Sequence, residues 1–416
     1  MIKLNTIYRV SFYVIVLLVF CCGGFLQFTL GISNTILSIF ITAICFANYF
    51  LYLFKTHKII SHKIIFWAFL YIVLIVFSGL YNNVSNLKIL IYLIFPLLPL
   101  GVFLFNFINR KRGFLTFRGI FKLFFLIATL QLPFLLAQKM FYSFFIKFNR
   151  SGQFIDKSDF TFGTFFIKSD HSLGIFILII ISVLLYKRQA IRGVLRFPNF
   201  SIFYLSITLF FTESNISKLF LVILLSSFVL IPFYKKHKKS VIFKLGLLSF
   251  VCLLIFIGFS VRENDLIQKK LGGSFERQFS IESSQKFYDL GTAKRFQIVM
   301  VAVNNLKVKW IGDGPYSYFD IRKGKFKLTR HFSQFIWTYF DLGIIGLIVV
   351  LGYIFSIVSY LNIEKGYPYL IFLTIILVYT LYTTILSDIA IVFSIITVFG
   401  FKNNIKSEKL FPSSLV

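Results

Sequence analysis

The chain has 416 residues, of which 58% are hydrophobic, 20% aromatic and only 14% charged, and its mean hydropathy is +0.84, whereas a soluble domain is about 45–50% apolar. A formal charge of +29 would suggest nucleic acid in a soluble chain. In a membrane chain, Lys and Arg collect in cytoplasmic loops, so no nucleic-acid partner is expected. The apolar runs are continuous and lack period-two alternation, which excludes a β-barrel; the fold class expected is an all-α polytopic membrane protein.

Apolar stretches of about 20 residues can each cross a hydrocarbon layer about 30 Å thick. They predict helices at 10–31, 35–54, 64–80, 87–108, 119–141, 170–186, 198–212, 216–234, 241–260, 338–361, 367–386 and 388–402, 12 in all. The first has a core too long for a signal peptide and no small-residue cleavage site after it, so it is expected to be retained. The segments KTHKIISHK (55–63), NRKRGFLTFR (109–118), KRQAIRGVLR (187–196) and KKHKK (235–239) fall between alternate helix pairs and contain no acid. The intervening connections YNNVSN (81–86), ESN (213–215) and LSD (386–388) are neutral or acidic. By the positive-inside rule both termini are cytoplasmic, which the tail KNNIKSEK fits. Cys21, Cys22, Cys45 and Cys252 all lie in apolar runs without metal spacing and read as small buried hydrophobes.

Two connections on the outer side are long: a smaller loop at 142–169 and a large one at 261–337. The whole chain, 1–416, otherwise reads as a single membrane domain without internal repeats. Residues 261–331 hold 14 Lys/Arg against 7 Asp/Glu, a basic excess that topology does not require, because loops of more than about 60 residues escape the positive-inside rule. This loop carries Arg277, Arg295 and His331. Arginine presents a permanently charged fork suited to phosphate, and a neutral imidazole can take a proton from a hydroxyl. The alternatives are arginines that meet lipid headgroups and an interfacial histidine. GDGPYSYFD (312–320) combines the permissive Gly312 and Gly314 with the fixed φ of Pro315 and could aim amides inward. Asp341 reads as a helix cap, with Gly343 and Gly346 allowing close helix contact.

Two further polar helix mouths fall on the same side. GTFFIKSDHSLG (163–174) brings Lys168, Asp170, His171 and Ser172, and FTESNISKLF (211–220) brings Glu213, Asn215, Ser217 and Lys218. Three polar mouths and a basic loop on one face predict one cleft there, although each mouth could equally be an ordinary interfacial cap. No metal-ligand spacing, P-loop or G-x-S-x-G motif occurs, so neither a metal nor another cofactor is expected.

The blocks GTAKRFQIVMVAVNNLKVKWIGDGPYSYFD (291–320) and RHFSQFIWTYFDLGIIGLIVVLGYI (330–354) resemble the O-antigen ligase/polymerase superfamily. The resemblance rests on Arg295, the Gly312-Asp313-Gly314 turn, His331 with Ser333 and Gln334, and Asp341-Leu342-Gly343-Ile344-Ile345-Gly346. GTFFIKSDHSLG is similar to the family's Gly-Thr-Phe segment, with His171 or Ser172 near its usual Asn. ESNISK is similar to its Ser-Arg element, with Lys218 in the Arg position. Lys218 is only a point charge, and His331 is followed by Phe where Asn is common. The resemblance covers roughly 160–360.

The resemblance implies a GT-C-like glycosyltransferase in the bacterial cytoplasmic membrane, with 261–337 as the catalytic loop. It would use an undecaprenyl-pyrophosphate-linked glycan donor and a glycan or lipid-linked acceptor. Arg277 and Arg295 would hold the pyrophosphate with Lys218, and His331 would be the base. Tyr316, Tyr318, Gln334 and His171 would contact substrate, with Trp337 a further stacking candidate; for the tyrosines and Trp337 the alternative is packing or an interfacial aromatic belt. Apolar helix faces would hold the polyprenyl tail. Membrane lipids, a chain-length regulator and a flippase are the further partners expected. A polymerase of O-antigen, capsular or exopolysaccharide repeats is favoured over a ligase that moves polymer to a final acceptor. A transporter or flippase is the alternative of another class; the absence of repeated halves speaks against it. A scaffold protein of an envelope complex is a third.

Overall fold

The computed structural model describes residues 4–58, 60–153, 155, 157, 160–167, 170–191, 193–212, 214–237, 281–289, 295–304, 308–317, 333–363 and 367–400. These residues form α1 (Leu4–Val16), α2 (Gly23–Leu30), α3 (Asn34–Thr56), α4 (Lys63–Tyr81), α5 (Asn86–Tyr92), α6 (Ile94–Arg112), α7 (Phe117–Met140) and α8 (Tyr142–Phe145). They continue with α9 (Asp170–Tyr186), α10 (Pro198–Phe211), α11 (Asn215–His237), α12 (Ile281–Asp289), α13 (Arg295–Asn304), α14 (Gln334–Tyr360), α15 (Tyr367–Tyr382) and α16 (Ile389–Phe399). Among the described residues no strand occurs. Among the described residues six spans are long and apolar enough to cross a membrane, and five shorter apolar helices accompany them. The predicted helix at 241–260 lies outside the described residues.

Two helices form the centre. Every residue of α16 is buried, as is α9 from Ser172 to Leu185. Both are apolar on all sides, the pattern of a helix surrounded by others. α16 packs on α6 and α9, and α11 and α10 pack beside α9. The outer helices carry one buried stripe and an exposed apolar one: Phe40, Phe50 and Phe54 on α3, Phe66, Phe69 and Phe77 on α4, and Phe200, Phe203 and Phe210 on α10 all face outward. So much exposed aromatic surface would aggregate in water; it suits hydrocarbon.

The predicted helices at 170–186 and 198–212 match to within a residue, but three others are interrupted. The first is broken by a π-turn at Leu17–Cys21 before α2 begins. Cys45 is buried, but Cys21 in this turn is exposed. Adjacent helical positions point about 100° apart, so Cys21 and Cys22 cannot share one buried face. The predicted helix 87–108 divides into α5 and α6 at Leu93, three residues before Pro96, whose missing N–H leaves the turn unclosed. α14 starts at Gln334, four residues earlier than expected, because Ser333 caps it by accepting from the Ile336 amide at 3.3 Å. Its backbone leaves helical geometry at Gly343 (φ 75, ψ −165).

The connection between α7 and α9 does not float free. Residues 160–167 wedge against α2 and α7, where three glutamines satisfy the backbone. Gln131 Oε1 accepts from the Thr164 amide at 3.0 Å, Gln138 bonds both the N–H and C=O of Gly163 (2.9 and 2.8 Å), and Gln27 accepts from Ile167 N at 2.8 Å. Thr164 Oγ1 donates to the Phe20 carbonyl at 2.5 Å, an acceptor within the π-turn. Buried irregular backbone needs such partners.

Candidate active site

One end of the bundle gathers the first turns of α9, α11, α14 and α16 with the last turn of α15. His171 Nδ1 lies 3.0 Å from Ser214 Oγ, and Ser214 lies 2.5 Å from Ser217. Ser217 in turn hydrogen-bonds the Tyr379 hydroxyl of α15. α9 and α11 can approach this closely because residue 174 is glycine: a Cβ there would sit 2.0 Å from Ser217 Oγ. Ser172 donates to the Asp388 carboxylate, which also caps α16 through the Ile391 amide at 3.0 Å. Burial pushes the Asp388 carboxyl above its usual range, opposed by the Ser172 hydroxyl and the helix amides. α14 joins the group where the Gln334 amide meets the Thr383 carbonyl (3.4 Å). Helix N-termini carry partial positive charge, and the mouths of α9, α11 and α16 lie together beside the half-buried Lys218.

A second assembly adjoins the first half of α14. At the Gly343 break, the carbonyls of Phe340 and Asp341 and the amides of Ile344 and Ile345 lose their helical partners. The segment 309–314 replaces them. Asp313 N and Gly314 N donate to the Phe340 and Asp341 carbonyls (3.0 and 2.9 Å), while Ile344 N and Ile345 N donate to the Lys309 and Trp310 carbonyls (2.9 and 3.3 Å). Side chains at the break would prevent this pairing: a Cβ on Gly312 would lie 2.3 Å from the Asp341 carbonyl carbon, and one on Gly343 would lie 2.4 Å from the Trp310 oxygen. Ser78 of α4 and Asn82, just after it, close the junction by donating to the carbonyls of Asp341 and Gly312 (3.2 and 3.1 Å).

The Asp341 side chain is not the helix cap expected of it, and Gly343 does not serve helix contact. The carboxylate is fully buried and accepts from the Tyr316 amide at 3.0 Å and Ser317 Oγ at 2.8 Å. The amides of the following half-helix are capped by loop carbonyls instead. GDGPYS therefore turns inward, as the Gly-Pro chemistry suggested, but its first receptor is α14 itself.

Of the site residues predicted, Arg277, Tyr318 and His331 lie outside the described residues. Arg295 opens α13, whose Ile298, Val299 and Ala302 join the bundle core. His171 lies in the first turn of α9, where it meets Ser214, and Lys218 lies in the first turn of α11. Tyr316 packs on Tyr92 and Trp337 (ring centroids 5.3 and 5.4 Å apart) with φ 64, so its ring is already engaged. Burial and the neighbouring Asp341 charge push its phenol above the usual range. Gln334 is fully buried, with neither side-chain amide atom bonded among the described residues. Ser214, Tyr379 and Asp388 were not singled out; a tyrosine and an aspartate bracketing a short connection between apolar helices were the available signal. No metal-type cluster of His, Cys, Asp or Glu forms among the described residues.

From the mouth, an apolar groove follows α9, α15 and α16. It is lined by Ile175, Leu178 and Ser182, by Phe372, Ile375 and Tyr379, and by Ile391 and Ile395, all of them buried, so it is a narrow seam between packed helices rather than an open channel.

Residues 200–351 match the family model for O-antigen ligase (Wzy_C). The match supports the O-antigen ligase/polymerase superfamily that the motifs resemble, and with it a multi-pass bacterial membrane enzyme of the O-antigen ligase or polymerase type, acting on lipid-linked glycans. The matched residues include Lys218, the docked 308–317 stretch and the broken part of α14, whereas His171 lies before them. No curated protein and no solved structure matches the chain.

Proposed function

We propose that the chain is a glycosyltransferase that polymerises undecaprenyl-pyrophosphate-linked repeat units on the outer face of the cytoplasmic membrane. The acceptor hydroxyl oxygen attacks the anomeric carbon of the donor, and the bond from that carbon to the phosphate oxygen breaks. The diphosphate leaves with the electron pair, and the hydroxyl proton passes to His331. A diphosphate needs no strong acid to depart; the site has to hold its growing charge. Arg277, Arg295 and Lys218 are assigned to that task, and no metal is invoked.

The observation that carries this reading is the meeting of polar helix mouths beside Lys218, in and next to the O-antigen ligase segment. Helix N-termini favour anions, and the exposed apolar faces of the outer helices suit an apolar tail. His171 and Tyr318 are assigned to the sugars; the ring of Tyr316, packed on Tyr92 and Trp337, and the fully buried Gln334 are assigned to packing. On this reading the docked 308–317 stretch and the YNNVSN turn face the periplasm, and both termini are cytoplasmic.

The test is the glycan phenotype of a deletion strain complemented with variants. Arg295→Ala and His331→Ala should abolish long-chain glycan while the protein remains in the membrane at wild-type amount. Single repeat units on the carrier would support a polymerase. Long lipid-linked chains that never reach a final acceptor would indicate a ligase, and unchanged glycan would refute both.

A further inference from the structure

After α7 the chain folds back on the bundle as an elbow, made of α8 and a 3-10 turn over Ile146–Phe148. Its inner side is fixed. Tyr142, Phe145 and Ile146 pack on a small second core around Phe28, Phe160 and Phe162. The Tyr142 hydroxyl donates to the Ile155 carbonyl at 2.9 Å. The Arg150 amide donates at 2.8 Å to the carbonyl of Phe28, in the last turn of α2. The outer side carries Phe141, Phe144 and Phe148, which are 55, 57 and 49% exposed. Spacings of three and four residues put them on one helical face, and the rings of Phe144 and Phe148 touch (centroids 5.3 Å apart). These rings point outward because the opposite face is already packed.

The level of the elbow follows from α7. Its 24 residues span about 36 Å, a little more than the hydrocarbon thickness of about 30 Å. The chain therefore leaves α7 at the height of the lipid headgroups. The exposed stripe of α7, Leu126, Leu130 and Phe134, leads through Met140 into Phe141 and Phe144, so the outer face of the elbow continues a face that suits hydrocarbon. Exposed Lys147 and Arg150 stand beside the phenylalanines, and no acidic residue occurs from 131 to 155. Water would leave three neighbouring rings hydrated. A second copy packed face to face would set the same cations against each other. An anionic lipid surface satisfies both, because it takes the rings among its chains and the cations at its phosphates.

We propose that residues 141–150 are a docking surface for anionic phospholipid. Phe141, Phe144 and Phe148 lie among the acyl chains just beneath the headgroups, and Lys147 and Arg150 hold the lipid phosphates. The segment that reads as a small external loop thus begins within the membrane interface, whatever reaction the chain performs.

The test uses the full chain without its own cysteines, carrying one bimane-labelled cysteine in place of Phe144, Leu130 or Gln153. Each protein is reconstituted in phosphatidylcholine vesicles that contain a minor fraction of bromine-chain phosphatidylcholine or, at the same fraction, bromine-chain phosphatidylglycerol. Bromine quenches the label on contact; Leu130 is the reference for hydrocarbon and the exposed Gln153 that for water. The Phe144 label should be quenched as strongly as that at Leu130. The phosphatidylglycerol should quench it about twofold more than the phosphatidylcholine. Lys147→Gln combined with Arg150→Gln should remove that excess and leave the remaining quenching in place. A Phe144 label quenched no more than the one at Gln153 would overturn the proposal and give the face to water or to a protein. Equal quenching by the two lipids, or an excess that survives the loss of both cations, would overturn the assignment of Lys147 and Arg150 to the phosphates. If the Phe144 variant does not fold, a label at Phe148, on the same face, decides by the same comparisons.

Discussion

At Gly24 a methyl group would sit 2.3 Å from the Phe165 carbonyl oxygen, and the Gly24 amide donates to Thr164 at 2.9 Å. Neither backbone can yield without unpairing the other, so Gly24→Ala should destabilise the protein by about 1–3 kcal/mol, read as a lower midpoint in detergent thermal unfolding; an unchanged midpoint would mean that the 160–167 wedge moves freely. Gly174 differs, because the nearest atom to its missing Cβ is the hydroxyl of Ser217. A methyl there also meets the Ser217 Cβ at 2.7 Å, which turning the hydroxyl does not relieve, so Gly174→Ala should push α11 away from α9 and part Ser214 from His171. Glycan transfer should then fall several-fold, and a loss no larger than that of Ser182→Ala, measured side by side, would remove the α9/α11 mouth from the reaction. Gly24 and Gly174 look alike in the sequence. Only the neighbour each one meets separates a structural glycine from one that shapes the site.

At the scale of elements, the break in α14 is the decisive feature. Residues 334–360 read as one long apolar helix after a polar start, and the DLGIIG motif reads as a cap with small packing residues. Hydropathy does not register that the carbonyls of 340 and 341 are given to a segment about 30 residues upstream. Gly343→Ala must adopt φ 75 and meet the Trp310 oxygen at 2.4 Å. The helix should then close through 343 and expel 309–314, with transfer abolished while the protein still inserts. Cysteine substitution at Val308, followed as a change in its labelling rate, checks the expulsion.

For the whole molecule, α4 ends in the YNNVSN turn, and the turn's Asn82 bonds the docked segment through Gly312. The two must therefore face the same side of any membrane. In a cysteine-free background, cysteines placed at Asn83 and at the exposed Trp310 should react with an impermeant maleimide from the periplasm, and one at Lys58 should not. Reaction of Asn83 and Trp310 from opposite sides would contradict the packing; reaction of both from the cytoplasm would reverse the proposed orientation and remove the enzymatic reading with it.

The amino-acid sequence by itself determined the helices and the polar mouths, because hydrocarbon demands long apolar runs with satisfied backbone and leaves polar residues affordable only at their ends. It also carries the resemblance to the O-antigen ligase/polymerase superfamily, through the order of Arg295, the GDG turn, His331 and DLGIIG. It could not say which mouths meet. That Ser217 reaches Tyr379, that Asp388 reaches Ser172, and that Asp341 serves Tyr316 rather than its own helix were decided by tertiary structure. Each of these contacts joins residues remote in the chain, and a side chain's partner depends on which backbone comes near it, a property that no local pattern of residues contains.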